Sequence, residues 1–126
     1  MNNNKDAKKY DKFGKLIYEG EYINGKRNGK GKEYNFNGNL KFDGEYLNGK
    51  RLKGFVKEYY NNGKLSFEGD YINGKRNGKG KEYNNNGGLI YEGEYLNGKR
   101  NGKGKEYNKY CELIFEGEYF NGLKME

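Results

Sequence analysis

The 126-residue chain carries 25 Lys and Arg against 18 Asp and Glu, a formal net charge of +7, and it has no His and a single Cys. These counts exclude an intrachain disulfide framework, and they leave a Cys or Ser nucleophile without an imidazole to activate it. Only 32% of the residues are hydrophobic, which alone would indicate disorder, but the 14 Tyr add apolar ring area and the residues recur at a fixed period.

That period is set by a run of aromatic, acid, Gly, acid and Tyr, followed after one further residue by Asn-Gly-Lys, or by Asn-Gly-Leu in the last copy. The five copies begin at Tyr18, Phe42, Phe67, Tyr91 and Phe115, 24 or 25 residues apart. A period of this length is typical of repeat proteins in which each unit is one supersecondary element.

The period also predicts the organisation of the chain. We expect a disordered polar N-terminus over residues 1–7, a sheet of repeats over 8–122 and a C-terminal tail over 123–126. Within the sheet the predicted units are a half repeat at 8–17, repeats at 18–41, 42–66, 67–90 and 91–114, and a partial repeat at 115–122. The first edge strand is predicted at Lys8–Lys12.

Each repeat has the signals of a β-hairpin. Residues 16–23 alternate between two faces, as a strand does, and Asn24-Gly25 can open a turn because both residues tolerate positive φ. We expect a connection of about six residues, closed by Asn28-Gly29, with Lys26 and Arg27 at its tip. The predicted fold is all-β, a single-layer twisted antiparallel meander of stacked hairpins.

The glycines predict how such a sheet forms a core. If Tyr22 pairs across the hairpin with Gly31, its ring can lie over bare backbone, and the repeats then build a ladder of rings. This aromatic face serves either packing or partner binding, and it comprises Tyr18, Tyr22, Phe42, Tyr46, Phe67, Tyr71, Tyr91 and Tyr95.

Two repeats depart from the pattern. Val56 takes the place of Gly31 in the second repeat, which is one residue longer, and this predicts a bulge with more aliphatic packing. Tyr110-Cys111 replaces Asn86-Gly87 near the end of the chain, which predicts a turn of another type there.

A second candidate site consists of basic residues at the same end of each hairpin. They are Lys26, Arg27, Lys50, Arg51, Lys75, Arg76, Lys99 and Arg100. Such a stripe can bind an acidic protein, or the phosphates of anionic lipid or nucleic acid. The competing interpretation is a solvated surface, in which Lys32 pairs across the strands with Glu21 and the acidic rows cancel the field.

The last strand, Leu113–Phe120, is the most apolar in the chain. We expect it to form an edge through which two copies pair as a homodimer, and the residues at that edge are Phe115, Tyr119 and Phe120.

These residues resemble the MORN repeat. The likeness runs through Tyr18-Glu-Gly-Glu-Tyr22, Asn24-Gly-Lys26 and Gly29-Lys-Gly31, recurs at Tyr91–Gly104, and extends over about residues 10–122. Tyr stands where the repeat usually has Trp, and Asn28, Asn77 and Asn101 stand where it usually has His, as in variant repeats of bacterial proteins.

The resemblance implies a protein without enzymatic activity and without cofactors. It implies a protein-binding module, such as an inhibitor or antitoxin of a bacterial effector or nuclease, with binding of anionic lipid or nucleic-acid phosphates as the alternative. The residues agree, since they contain no cluster of metal-ligating side chains. The single Cys and the polar N-terminus lead us to expect a cytoplasmic protein.

Overall fold

A computed structural model describes residues 4–126, and in this range every regular element is a strand. The strands are β1 (Lys5–Tyr10), β2 (Leu16–Ile23), β3 (Lys26–Tyr34), β4 (Leu40–Leu47), β5 (Lys50–Tyr59), β6 (Leu65–Ile72), β7 (Lys75–Tyr83), β8 (Leu89–Leu96), β9 (Lys99–Tyr107), β10 (Leu113–Phe120) and β11 (Leu123–Met125). Each strand pairs with its neighbours in sequence, in the order β1 to β11. The prediction of an all-β antiparallel meander of hairpins is therefore confirmed.

Two kinds of turn alternate along the chain. The tight turn after β2 contains only Asn24 and Gly25, with φ of 51° and 78°, the pair of positive values that a two-residue hairpin requires. Strand β3 therefore starts at Lys26, and the predicted six-residue connection is wrong. Lys26 and Arg27 belong to a strand and do not form a loop tip.

The second kind of turn has five residues and is held by its first side chain. In the turn after β3, the Asn35 Oδ1 accepts hydrogen bonds from the backbone N–H groups of Asn37 and Asn39, each at 3.0 Å. The turn after β9 has the same bonds, because Asn108 Oδ1 accepts from Tyr110 and Glu112 at 2.9 and 3.0 Å. The prediction of another turn type there is wrong, since Cys111 adopts the positive φ, 64°, that glycine has in the other repeats.

Both ends of the described sheet differ from the predicted boundaries. Residues 1–3 lie outside the described residues, but β1 begins at Lys5, which pairs with Tyr22, so residues 5–7 are strand. The predicted tail at 123–126 likewise contributes β11, in which Leu123 pairs with Phe120 across a tight turn. At the N-terminal end the polar sequence hides a strand because pairing uses backbone groups, which every residue except proline supplies in full.

The register of the hairpins places glycine opposite glycine. Gly20 pairs with Gly31, and Tyr22 pairs with Arg27, so β3 carries a bulge between those pairs. The predicted pairing of Tyr22 with Gly31 is wrong, and the ring that covers the glycines is Tyr18. A Cβ on Gly31 would lie 2.2 Å from the Tyr18 hydroxyl oxygen, so this position has no space for a side chain.

The chain divides into two compact units. One contains the residues up to Phe55 together with Ile72–Gly74, and the other contains Val56–Tyr71 and Lys75–Glu126. The buried apolar side chains of the first unit are Tyr18, Phe42 and Tyr46, and those of the second are Val56, Phe67, Tyr91, Tyr95 and Tyr119.

In the second repeat, the glycine that faces the partner strand's glycine lies at a different sequence position than predicted. A Cβ on Gly44 would lie 2.6 Å from the Cα of Gly54, the relation that Gly20 has to Gly31. Gly54, and not Val56, is therefore the structural counterpart of Gly31 in this hairpin. Val56 is only 2% exposed, so its side chain belongs to the core of the second unit.

Candidate binding surfaces

The aromatic side of the second unit is covered by arginine. The Arg100 guanidinium lies 4.1 Å from the centroid of the Tyr91 ring, and its Nε lies 2.9 Å from Glu82. The Tyr95 hydroxyl donates a hydrogen bond to the same Glu82 carboxylate. Cation, ring and carboxylate thus form one cluster, in which each polar group has a partner.

The charges in this cluster are stabilised by their neighbours. Burial raises the pKa of Glu82, but hydrogen bonds from Arg100 and Tyr95 outweigh burial and hold the pKa below its ordinary value. The pKa of Tyr95 is raised, first by burial and then by its hydrogen bond to Glu82. Burial also raises the pKa of Tyr91, to about 12. Tyrosines and glutamate therefore keep fixed protonation states near neutral pH.

The first unit repeats this arrangement. The Arg27 guanidinium lies 4.2 Å from the Tyr18 ring centroid. Glu33 accepts hydrogen bonds from Arg51 at 2.6 Å and from the Tyr46 hydroxyl at 2.5 Å, and it forms an ion pair with Arg27 at 3.3 Å. One carboxylate therefore joins arginines from two successive hairpins.

The predicted aromatic site is consequently a packed core. Tyr18, Phe42, Phe67 and Tyr91 are fully buried, Tyr46 and Tyr95 are at most 5% exposed, and Tyr22 and Tyr71 are half-buried. The residues of the predicted basic stripe fall into two groups, arginines and lysines. Its arginines pack on rings and pair with glutamates, as Arg76 does over Phe67 at 3.8 Å, whereas Lys26, Lys50, Lys75 and Lys99 are exposed.

The opposite side of each unit carries alternating charges. In the first unit Lys32 lies between Glu19 and Asp43, so the predicted pairing of Lys32 with Glu21 is wrong. Glu21 instead accepts the backbone N–H of Lys30 at 2.5 Å, an interaction that the bulge in β3 makes possible.

A shallow groove of about 750 Å³ lies on this side of the first unit and is lined by both signs of charge. In the second unit, Lys105 lies between Glu92 and Glu116 in the same manner. Neighbouring rows of opposite sign largely cancel at the distance of a bound partner.

A third surface was not predicted from the sequence. In each unit exposed apolar residues precede the tight turns, an exposed lysine follows the turn after Leu47 and the turn after Leu96, and we call this surface the turn edge. It contains Leu47, 53% exposed, and Ile72, 44% exposed, in the first unit, and Leu96, 50% exposed, and Phe120, 65% exposed, in the second. Leu96 pairs directly with Lys99, so apolar and cationic groups are adjacent. The sequence signal was the apolar residue before each Asn-Gly, which strand alternation alone assigns to an ordinary solvent-facing position.

The predicted dimer edge is only partly exposed. Tyr119 is 3% exposed and packs against Tyr91, with ring centroids 5.3 Å apart, so it belongs to the core. Phe115 is half-buried, with the Lys124 ammonium 5.2 Å from its ring centroid. Phe120 is the one member of the predicted set that is largely exposed.

Metal-binding groups do not converge in the part of the chain that the structure describes. Residues 4–126 contain no group of three or more acidic, Cys or His side chains placed to hold a metal ion. Within the same range no helix has the length and apolarity to cross a membrane.

The fold and its surfaces together define a β-hairpin repeat protein with a buried core of rings that is covered by arginine–glutamate pairs. The family model described as MORN repeat matches residues 18–40, 67–89 and 91–109, and the one described as MORN repeat variant matches residues 4–24 and 54–73. The chain belongs to the MORN-repeat family. MORN repeats are generally modules that bind proteins or membranes, and the family is typically non-catalytic. No curated protein matches the chain.

Proposed function

We propose that this protein is a non-catalytic protein-binding module, and that its turn edge contacts an acidic, partly apolar surface of the partner. The observation that carries the proposal is the adjacency of Leu96 and Lys99, an exposed apolar side chain beside an exposed cation. The core rings and the charged rows are less suited to binding, because those rings are buried and the rows neutralise each other. Apolar anchors surrounded by complementary charge are typical of protein interfaces.

Within this class we propose an inhibitor of a bacterial effector or nuclease that acts in the cytoplasm. The support is the likeness of the Tyr and Asn substitutions to bacterial variant repeats, together with a surface whose residues lie on hydrogen-bonded strands. A preorganised surface avoids part of the entropic cost of association, as tight inhibition requires.

An anionic membrane is the second candidate, because the same turn edge offers lysines beside apolar side chains. Lipid headgroups attract each basic residue with about 1 kcal/mol, and this attraction decreases strongly with salt. Nucleic-acid phosphates would show a similarly steep salt dependence.

The test compares a turn-edge variant with a matched charge control. Leu96→Ser with Lys99→Glu removes both features at one turn, and Lys109→Glu makes the same charge change on a five-residue turn of the same unit. Partner proteins captured from the native host by wild type are quantified by mass spectrometry. The proposal expects one partner to be lost with the double variant and retained with the control.

Equal recovery with both variants would overturn the turn edge as the binding surface. Sedimentation with phosphatidylserine vesicles at about 50 and 200 mM salt tests the second candidate. Vesicle binding that disappears at the higher salt, without any captured protein, would favour the membrane over a protein partner.

A further inference from the structure

The second repeat differs from the others at one position of the turn edge. In the other complete repeats the residue after the arginine is Asn28, Asn77 or Asn101. The side-chain oxygen of each accepts the backbone N–H of the asparagine in the next tight turn, at 3.0, 3.2 and 2.9 Å. This amide fills the space between successive turns with a polar group.

Leu52 occupies this position in the second repeat and changes the surface. Because leucine has no acceptor, the Leu52 backbone carbonyl accepts the N–H of Asn73 instead, at 2.8 Å. This backbone hydrogen bond joins the tight turn at Asn73 to the strand that contains Leu52, without any contribution from the Leu52 side chain. The leucine side chain then lines an open groove of about 490 Å³ together with Leu47, Lys50, Arg51, Asn73 and Gly74.

The charges around this groove favour an anionic ligand. Arg51 is committed to Glu33 at 2.6 Å. Lys50 is exposed, and among the described residues no carboxylate lies within ion-pair distance of its ammonium. The groove therefore presents two leucines beside one uncommitted cation.

We propose that this groove receives an apolar side chain from an acidic segment of the partner protein. The inference rests on the proposed function and locates its anchor in the second repeat. The volume lies within the range of roughly 300–1,000 Å³ of small-ligand sites and accommodates a leucine-sized group. A carboxylate next to that group in the segment pairs with Lys50. The polar backbone at Asn73 and Gly74 closes the apolar lining on one side, which suits a single side chain better than a long acyl chain.

The test uses a synthetic octapeptide with two central leucines flanked by glutamates as the probe. Its binding to isotope-labelled full-length protein is followed by amide chemical shifts. We expect the largest shifts in residues 47–52 and 73–74, and an affinity at least about tenfold weaker for Leu52→Asn, the loss expected when a leucine contact is removed. Leu52→Asn installs the residue that the other repeats carry, so the fold is retained.

The reciprocal variant supplies the matched control. Asn101→Leu should create a second groove beside Leu96 and add shifts around that turn. A peptide with serines in place of the leucines should bind at least about tenfold more weakly, because it lacks the anchor.

Different results would contradict the groove at Leu52 and the proposed binding at the turn edge. Wild-type affinity in Leu52→Asn, with equal shifts around Leu96 and Lys99, would overturn the groove and leave the proposed turn-edge binding intact. An absence of shifts at every tight turn would overturn both. Loss of phosphatidylserine-vesicle binding in Leu52→Asn, without any peptide binding, would reassign the groove to a membrane and overturn the peptide inference.

Discussion

Replacing Tyr95 measures how much the stacked rings contribute to stability. The side chain is 5% exposed, and its ring meets Phe67 and Tyr91 edge to face, with centroids 5.4 and 5.5 Å apart. Tyr95→Ala should lower the free energy of unfolding by about 3–5 kcal/mol, the loss typical of a large buried aromatic side chain. Tyr95→Phe removes only the hydrogen bond to Glu82 and should cost about 1.5 kcal/mol, since Arg100 still binds that carboxylate.

Urea unfolding followed by far-UV circular dichroism gives both values, and the difference between the two variants is the contribution of the ring. Tyr110→Ala is the control, because Tyr110 is 70% exposed and its removal should change stability by less than about 0.5 kcal/mol. Equal losses for Tyr95→Ala and Tyr95→Phe would refute the reasoning, since the ring would then contribute nothing beyond its hydroxyl.

Three further predictions concern single positions. Arg100→Glu should destabilise the fold by at least about 2 kcal/mol, because it places an acid beside Glu82 and uncovers a ring, whereas Lys99→Glu should stay within about 0.5 kcal/mol in the same urea assay. Cys111→Gly should raise stability by about 0.5–1 kcal/mol in thermal melts, because glycine adopts the φ of 64° without strain, and a lower melting temperature would contradict this. The pKa of Glu82 is depressed in the folded state. The ionised Glu82 therefore stabilises the fold above the unfolded pKa of about 4.3, and this contribution is lost as the pH falls through the folded pKa. Glu82→Gln should therefore weaken the pH dependence of the free energy of unfolding below about pH 4.3.

The repeat period predicted the fold because it fixes where strands and turns alternate. It did not determine the hairpin register, since Asn24-Gly25 and Asn28-Gly29 can each close a turn. In the structure the first pair forms the turn and Gly29, with φ of 97°, lies in the bulge of β3. This two-residue choice moves Arg27 from a loop tip to a position above the Tyr18 ring.

The candidate site was less predictable than the fold. Positive charge alone does not distinguish the arginine that covers a ring from the lysine that remains in solvent, because both occur in the same Lys-Arg dipeptide. Their separation follows from strand alternation once the tight turn is known. Leu52 was visible as an exception to Asn28 and Asn101, but its effect depends on a backbone hydrogen bond that only the structure shows.

The backbone hydrogen bonds between successive tight turns have a consequence for how the gene can change in length. Gly98 donates its N–H to the Arg76 carbonyl, and Gly122 donates to the Arg100 carbonyl, each at 2.8 Å, so these two junctions have the same chemistry. An in-frame loss of residues 91–114 would join Ile90 to Phe115 and recreate the same Leu-Ile-aromatic strand. Unequal recombination between copies can therefore shorten or lengthen the protein by whole repeats, because the strand at the joining point keeps its sequence pattern. Selection can then act on the number of repeats.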